Sequence, residues 1–147
     1  MTHDEKRREI VAEALSWEGT PYVPHARIKG IGVDCAMLPS AVYNAVGLIP
    51  DIKPEYTQDW MLHRDEEMFL SYIIPHARRI DRSEALPGDL ILWRFGRTYS
   101  HSAIILDLPS VLHAIIRGGA VVRGDVLRDS DLVDRPCIFF SLFGKDC

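Results

Sequence analysis

The hydrophobic pattern of this chain changes at Pro87-Gly88-Asp89, and this change constrains the fold more than any other feature. Before these residues, apolar side chains recur at the three- and four-residue spacing of amphipathic helices. After them, the chain carries short apolar runs separated by Gly, Pro and Asp, a pattern typical of antiparallel strands. These runs cover residues 90–93, 103–106, 111–116, 120–122 and 137–140. Helices followed by strands predict an α+β fold, with N-terminal helices packed on a C-terminal antiparallel β-sheet.

Three helices are predicted in the first half of the chain. Thr2 followed by Glu5 is typical of a capping box, and an apolar helix face continues from there to Trp17. Gly19 and Gly47 are suitable residues for ending the first and second helices. We therefore predict helices over residues 4–17, from residue 34 or 38 to residue 46, and over residues 66–74, with loops over residues 19–33 and 48–60.

Length and composition exclude several classes of protein. The 147 residues suffice for one core, so residues 1–147 are predicted to form a single domain. The net charge of −4 comes without a basic stripe, which argues against nucleic acid as a partner. No apolar run reaches the about 18 residues of a membrane span. The charged N-terminus lacks the apolar segment of a signal peptide, so we expect a protein that is cytoplasmic as synthesised. Three widely spaced cysteines argue against a disulfide framework.

One cysteine and two distant histidines are the strongest candidates for chemistry. A thiol is nucleophilic only as the thiolate, so a catalytic Cys35 needs a cationic partner or a helix N-terminus that lowers its pKa. His101 is a candidate partner, and His113 is a candidate for orienting His101. The spacing predicts that both histidines lie on neighbouring strands, joined by a turn at residues 107–110. These three residues are also compatible with a zinc site, although Cys35 has no companion at the usual ligand spacing.

Five short motifs follow one another along the chain: Gly19-Thr20-Pro21-Tyr22, Val33-Asp34-Cys35, Leu86-Pro87-Gly88-Asp89-Leu90, Ser100-His101-Ser102-Ala103-Ile104-Ile105 and Leu112-His113-Ala114. Taken in this order, they resemble the motifs of the NlpC family of cell-wall cysteine peptidases. The resemblance extends from about residue 7 to residue 125. It implies a papain-like fold and a hydrolase that uses no cofactor and acts on peptidoglycan.

The resemblance implies a role for each member of the Cys-His-His set. Cys35 matches the nucleophile at a helix start, His101 the general base on a central strand, and His113 the orienting residue on the next strand. Enzymes of this type attack the amide bond after D-glutamate in the peptidoglycan stem peptide. Thiolate attack gives an acyl-enzyme, and the imidazolium protonates the leaving amine. The backbone N–H of Cys35 is expected to help hold the oxyanion.

Three neighbours of these residues are implied to bind substrate. Asp34 matches an acidic residue that holds the free amine of a short stem fragment, and Tyr22 matches a tyrosine beside the nucleophile. Ser100, which precedes the general base, is the third. The residue types alone leave plainer alternatives open, because Asp also favours helix N-caps and tyrosine often serves only in packing.

Two segments are similar to the branch of the family found in tailed phages and gene-transfer particles: the long loop of residues 22–34 and residues 56–60. This branch implies incorporation into a phage tail or tail-like particle. Tail-tip or hub proteins would then be partners in addition to the peptidoglycan stem peptide, and residues 51–65 are candidates for contacting them. The expected cytoplasmic synthesis agrees with this, because tail proteins are assembled inside the producing cell.

The sequence after the candidate nucleophile departs from the family pattern in two ways. Ala36-Met37 replaces the usual Ser-Gly, and Pro39 removes the N–H that would bond the Cys35 carbonyl if the helix began at Cys35. Either the helix begins near Leu38, with Pro39 as an early residue, or its first turn is kinked. These departures motivate an alternative function, a catalytically degenerate structural subunit of a phage tail-tip assembly.

Overall fold

The computed structural model describes residues 2–50, 74–96 and 98–143. Helices α1 (His3–Leu15) and α2 (Met37–Ala45) flank a small hairpin of strands β1 (Arg27–Ile28) and β2 (Gly32–Val33). Short 3₁₀ helices precede and follow the next strand. The later strands are β3 (Arg78–Ile80), β4 (Leu90–Phe95), β5 (Thr98–Asp107), β6 (Ser110–Ile115), β7 (Ala120–Asp125) and β8 (Cys137–Ser141). Across the described ranges, we find no helix with the length and apolar character of a membrane span.

Strands β3 to β8 form one antiparallel sheet in the order β3-β8-β4-β5-β6-β7. The central strand β4 is buried on both faces. Leu90 and Leu92 belong to the apolar cluster that includes both helices, whereas Ile91 and Trp93 belong to a second cluster. Because β4 is buried on both faces, its residues 90–93 form a continuous apolar run in the sequence. The predicted α+β fold, with helices preceding and packing on an antiparallel sheet, is confirmed.

Helix α1 begins at the predicted capping residue. The Thr2 hydroxyl accepts a hydrogen bond from the Glu5 N–H at 3.1 Å, which satisfies one of the free N–H groups of the first turn. After the helix, Gly19 adopts a φ of +86°, a conformation that favours glycine. Its N–H donates to the Val121 carbonyl at 2.8 Å, and this hydrogen bond joins the segment after α1 to β7.

Both helices are also fastened to the turn that precedes β4. From α1, the Arg7 guanidinium donates to Oδ1 of the buried Asp89 at 2.8 Å and to the Pro87 carbonyl at 3.0 Å. From α2, the buried Tyr43 hydroxyl donates to the Gly88 carbonyl at 2.8 Å. The point at which the sequence pattern changes is therefore where the helices and the sheet are joined.

The sequence predictions and the structure differ where strands are short or polar. Strand β3 was not predicted, because it contains only one apolar residue and lies at the sheet edge. Strands β1 and β2 were not predicted, because each has only two residues, and the predicted loop 19–33 therefore contains a hairpin. Strand β5 starts before its apolar run because its first residues are mostly polar. The helix predicted over 66–74, apart from Ile74, and the loop predicted over 48–60, apart from its first residues, lie outside the described residues.

Candidate active site

The Asp34 side chain organises the first turn of α2. Asp34 is fully buried, and its Oδ1 accepts hydrogen bonds from the N–H groups of Ala36 and Met37 at 3.1 and 2.9 Å. The Leu38 N–H donates to the Asp34 carbonyl at 3.0 Å. Helical bonding therefore begins at Asp34, three residues before Met37, the first residue of the regular part of α2. Asp34 acts as the N-cap, and Cys35 is the first residue after this cap.

The Cys35 thiol is buried beside this cap. Cys35 is 5% exposed, and its thiol donates a hydrogen bond to the Ser100 carbonyl at 3.4 Å. Burial, and then the charge of Asp34, raises the Cys35 pKa to about 12. The Tyr22 hydroxyl and the N–H groups of Cys35 and Ala36 oppose this rise in pKa. Cys35 is therefore a neutral thiol in the free protein at neutral pH, and forming its thiolate requires a base.

His101 of β5 and His113 of β6 form a buried, hydrogen-bonded pair. Nε2 of His101 lies 2.8 Å from Nδ1 of His113. Burial first, and then the charges of His113 and Arg135, lowers the His101 pKa to about 3. Burial also lowers the His113 pKa, against the charges of Asp129 and Asp131, which raise it. Both imidazoles are neutral at neutral pH, and when Nε2–H of His101 donates to His113, Nδ1 of His101 can accept a proton.

A cleft of about 380 Å³ brings the thiol and the first histidine together. Four of the six residues predicted from the sequence line it: Tyr22, Cys35, Ser100 and His101. The other two support these residues, because His113 bonds His101 and Asp34 caps the turn that carries Cys35. The rest of the lining is mainly apolar, with one charged pair: Phe95, Ala114, Ile115, Ile116, Arg117 and Asp131.

Tyr22 reaches the thiol from the loop that follows α1. Its side chain lines the cleft together with Cys35. Burial, and then the charges of Cys35 and Asp34, raise the Tyr22 pKa far above its ordinary value. Backbone hydrogen bonds hold the loop: the Tyr22 N–H donates to the Gly119 carbonyl at 2.8 Å, and the His25 N–H donates to Asp34 Oδ2 at 2.7 Å. Tyr22 is therefore a fixed, neutral hydroxyl beside the sulfur.

Two aromatic residues of β4, neither of which the sequence pattern assigns to the site, lie against His101. The ring centroids of Phe95 and Trp93 lie 5.2 and 5.8 Å from that of His101. The Arg135 guanidinium lies 3.8 Å from the centre of the Phe95 ring. This packing is the physical reason for the low His101 pKa, because it removes water that would stabilise the imidazolium. Its signal in the sequence is weak, since an aromatic residue in a strand usually serves packing.

Asp129 lies behind the second histidine, and the sequence pattern does not single it out. A Cβ added to Gly124 would lie 2.9 Å from both Asp129 Oδ2 and His113 Nε2. These two atoms are therefore separated by at most twice that distance. Asp129 stands among several aspartates in residues 125–134, so no spacing distinguishes it from its neighbours.

We expect Asp129→Asn to lower the pKa of His113 below its value in the unaltered protein. The Asp129 charge raises this pKa, so removing the charge at nearly constant shape leaves the lowering by burial less opposed. Titration of the histidine ring signals by NMR measures the change. Asp134→Asn is the matched control, because Asp134 is exposed and exerts no resolved effect on His113. The same His113 pKa in the Asp129 variant and the unaltered protein would contradict this assignment.

The geometry of the two histidines also bears on the zinc alternative. Among the residues that the structure describes, no group of three or more His, Cys, Asp or Glu side chains is arranged to hold a metal ion. Nε2 of His101 and Nδ1 of His113 are directed at each other across 2.8 Å. A ring nitrogen that is bonded to another imidazole is not presented to a metal, so this arrangement favours proton transfer over metal binding.

Comparisons of the sequence and of the structure with known proteins both point to one family. Residues 16–130 match the sequence profile of the NlpC/P60 family, whereas no curated protein sequence matches the chain. The structure is similar to NlpC1 from Trichomonas vaginalis, with a TM-score of 0.68 and 19% identity over 95% of this chain and 44% of that chain. It is also similar to the NlpC/p60 domain of the peptidoglycan hydrolase SagA, with a TM-score of 0.60 and 25% identity over 90% of this chain and 96% of that domain.

A third similar structure comes from a protein of different activity. RipD from Mycobacterium tuberculosis, described as a non-catalytic NlpC/p60 domain protein adapted to peptidoglycan binding, has a TM-score of 0.61 and 16% identity over 94% of this chain and 98% of that chain. At such low identity, the likeness to NlpC1 and RipD is evidence for the shared fold alone. The chain spans less than half the length of NlpC1 but nearly all of the SagA domain and of RipD.

Proposed function

Because this chain belongs to the NlpC/P60 family, we propose that it is a cysteine hydrolase that cleaves an amide bond in peptidoglycan stem peptides. The proposed bond is the one that joins D-glutamate to the following diamino acid. One observation carries the proposal: the Cys35 thiol and the His101 imidazole line the same cleft, and His101 is hydrogen-bonded to His113. Such a set of groups can perform acyl transfer without a cofactor.

In the proposed mechanism, His101 is first a general base and then a general acid. Its Nδ1 accepts the Cys35 proton as the sulfur attacks the carbonyl carbon of the scissile amide. The C–S bond forms, the C–N bond breaks, and the imidazolium gives its proton to the leaving amine. The free imidazole then deprotonates a water molecule that attacks the thioester. Release of the acid and return of the proton restore the thiol and the neutral imidazole.

The surroundings stabilise the charges that develop during this reaction. The His101 imidazolium keeps its bond to His113 Nδ1, and the negative charge of Asp129 lies behind His113. The backbone N–H of Cys35, at the start of α2, is the proposed donor to the oxyanion. Because the site is buried, each of these interactions acts in a medium of low dielectric constant and is stronger than in water.

The proposed substrate contacts lie along the same cleft. Tyr22 and Ser100 line it beside the thiol. At its rim, Arg117 and Asp131 form an ion pair of 3.2 Å, with the Arg117 side chain 73% exposed. A stem peptide carries both carboxylates and amines, so a rim with one charge of each sign suits this class of substrate. Asp34 stays a proposed amine-binding residue, although its buried carboxylate already accepts backbone hydrogen bonds.

Digestion of purified peptidoglycan tests the proposal. Walls with diaminopimelate and walls with lysine in the stem peptide are incubated with the protein, and the soluble products are read by mass spectrometry. We expect fragments that end in D-glutamate, matched by fragments with a new free amine on the diamino acid, and neither with Cys35→Ala. Release of glycan fragments without amide cleavage, or no release from either wall, would refute the proposed reaction.

A catalytically degenerate, structural or peptidoglycan-binding subunit is the second candidate. The sequence after Cys35 favours it, because Ala36-Met37 stands where the family usually has Ser-Gly. RipD is an example of this fold in a protein described as non-catalytic. A thiol-reactive probe at neutral pH separates the two candidates. Labelling at Cys35 that is lost in His101→Ala supports the enzyme, and a Cys35 that stays unlabelled while Cys137 reacts supports the inert subunit.

We also propose that the protein works within a phage tail or tail-like particle, with tail-tip or hub proteins as partners. The resemblance of residues 22–34 and 56–60 to the phage branch supports this, although the second segment lies outside the described residues. In the first segment, Ile28 and Ile31 are 57% and 68% exposed, which suits contact with another protein. Fractionation of particles with an antibody against the chain tests the location, and finding only free protein in producing cells would refute it.

A further inference from the structure

Pro39 leaves the Cys35 carbonyl without its helical donor. In an α-helix, each N–H donates to the carbonyl four residues earlier, and the Leu38 N–H does so to the Asp34 carbonyl at 3.0 Å. The next donor in this ladder would be residue 39, which is a proline and has no N–H. Cys35 is buried, so its carbonyl would lack a donor unless another group supplied one.

Ser102 of β5 supplies this donor. Its hydroxyl donates to the Cys35 carbonyl at 2.6 Å, and Ser102 is 2% exposed. The bond crosses from the helix start to the sheet and joins residues that are far apart in sequence. A buried hydroxyl with a close acceptor is a fixed contact, since breaking it would leave both groups without a partner.

The same bond ties the candidate nucleophile to the strand that carries its base. Ser102 directly follows His101, and Ser100, which directly precedes it, accepts the hydrogen bond of the Cys35 thiol at 3.4 Å. Cys35 is therefore held at its backbone and at its sulfur by the two residues on either side of His101. Small displacements of reacting groups are costly in catalysis, because the rate depends on a near-attack geometry.

We propose that Ser102 is a positioning residue, which replaces the helical hydrogen bond removed by Pro39 and thereby sets the position of Cys35 relative to His101. The inference rests on the proposed function, because it assigns Cys35 as the nucleophile. The proposed role also makes the effects of Ser102 and Pro39 interdependent. Ser102 should matter because residue 39 is proline, and an N–H at residue 39 should make Ser102 dispensable.

A cycle of four proteins tests this interdependence: the unaltered chain, Ser102→Ala, Pro39→Ala and the double variant. For each protein we would measure kcat and KM on a stem peptide, the rate of Cys35 alkylation by iodoacetamide with Cys137 as internal reference, and the thermal midpoint. We expect Ser102→Ala to lower kcat and the alkylation rate about tenfold with little change in KM. In the Pro39→Ala background, the same Ser102 change should alter either rate less than twofold.

Alkylation separates failure of this inference from failure of the proposed function, because it requires no hydrolysis. If no protein in the cycle cleaves peptide, the alkylation rates alone decide whether Ser102 positions Cys35. Equal losses on Ser102→Ala in both backgrounds, or no loss in either, would overturn the inference. If Ser102→Ala alone does not fold, refolding and full alkylation of the double variant would support it, and an unfolded double variant would overturn it.

Discussion

Replacing Cys35 with alanine should abolish hydrolysis of peptidoglycan stem peptides. The variant lacks the sulfur that is proposed to form the acyl-enzyme, and loss of the nucleophile in comparable catalytic triads costs about 10⁶ in kcat. The fold should be retained, because the thiol makes one 3.4 Å hydrogen bond and the Asp34 cap of the same turn uses backbone N–H groups. Product formation by mass spectrometry measures the loss, and thermal unfolding checks that the fold is intact.

Cys137→Ala is the matched control for this variant. Cys137 is half-buried, lies in β8 and does not line the cleft, so its replacement should leave the rate of hydrolysis unchanged. The Cys35 variant should still sediment with peptidoglycan, because the cleft keeps its shape. Undiminished hydrolysis by the Cys35 variant would disprove the cysteine mechanism. Sedimentation without hydrolysis by the unaltered protein would instead support the binding-only candidate.

The elements that depend on local pattern could be predicted from the sequence. The cap at Thr2 fixes the start of α1, and five of the six sheet strands appear as apolar runs because their residues are buried on the sheet faces. The turn at residues 107–110 was also predicted, and in the structure Asp107 pairs with Ser110 across it. That turn is what brings His101 and His113 onto neighbouring strands, so the histidine pair follows from short-range information.

The features that depend on contacts between distant residues could not be predicted in this way. The sequence shows that Pro39 deprives the Cys35 carbonyl of a donor, but not that Ser102, 67 residues after Cys35, replaces it. Likewise, Asp129 and His113 both lie against Gly124, where an added Cβ would meet the two side chains. The start of α2 was left open between residues 34 and 38. The regular helix begins at Met37, close to the second of these, and the Asp34 carboxylate caps the irregular turn that precedes it.

Replacing His101 with alanine should lower kcat by about 10²–10⁴, the usual contribution of a general acid–base group. The Cys35 pKa lies at about 12, so the thiol ionises little near neutral pH unless a base takes its proton. KM should change less, because His101 is proposed to act on the reacting atoms rather than on the rest of the substrate. Initial rates on a stem peptide measure both constants. His76→Ala is the control, since His76 lies outside the cleft and should keep the full rate.

The pH profile of the unaltered protein should report the same base. An ordinary histidine titrates near about 6.5, whereas burial lowers the His101 pKa to about 3. A lowered pKa means that the imidazole stays unprotonated as the pH falls through 6.5, so kcat/KM should persist into more acidic solution and decline only as the pH approaches the lowered value. The residual activity of His101→Ala should lack this acidic decline, because the group that titrates is gone. An acidic limb centred near 6.5 would show that the base is solvated rather than enclosed by Phe95 and Trp93.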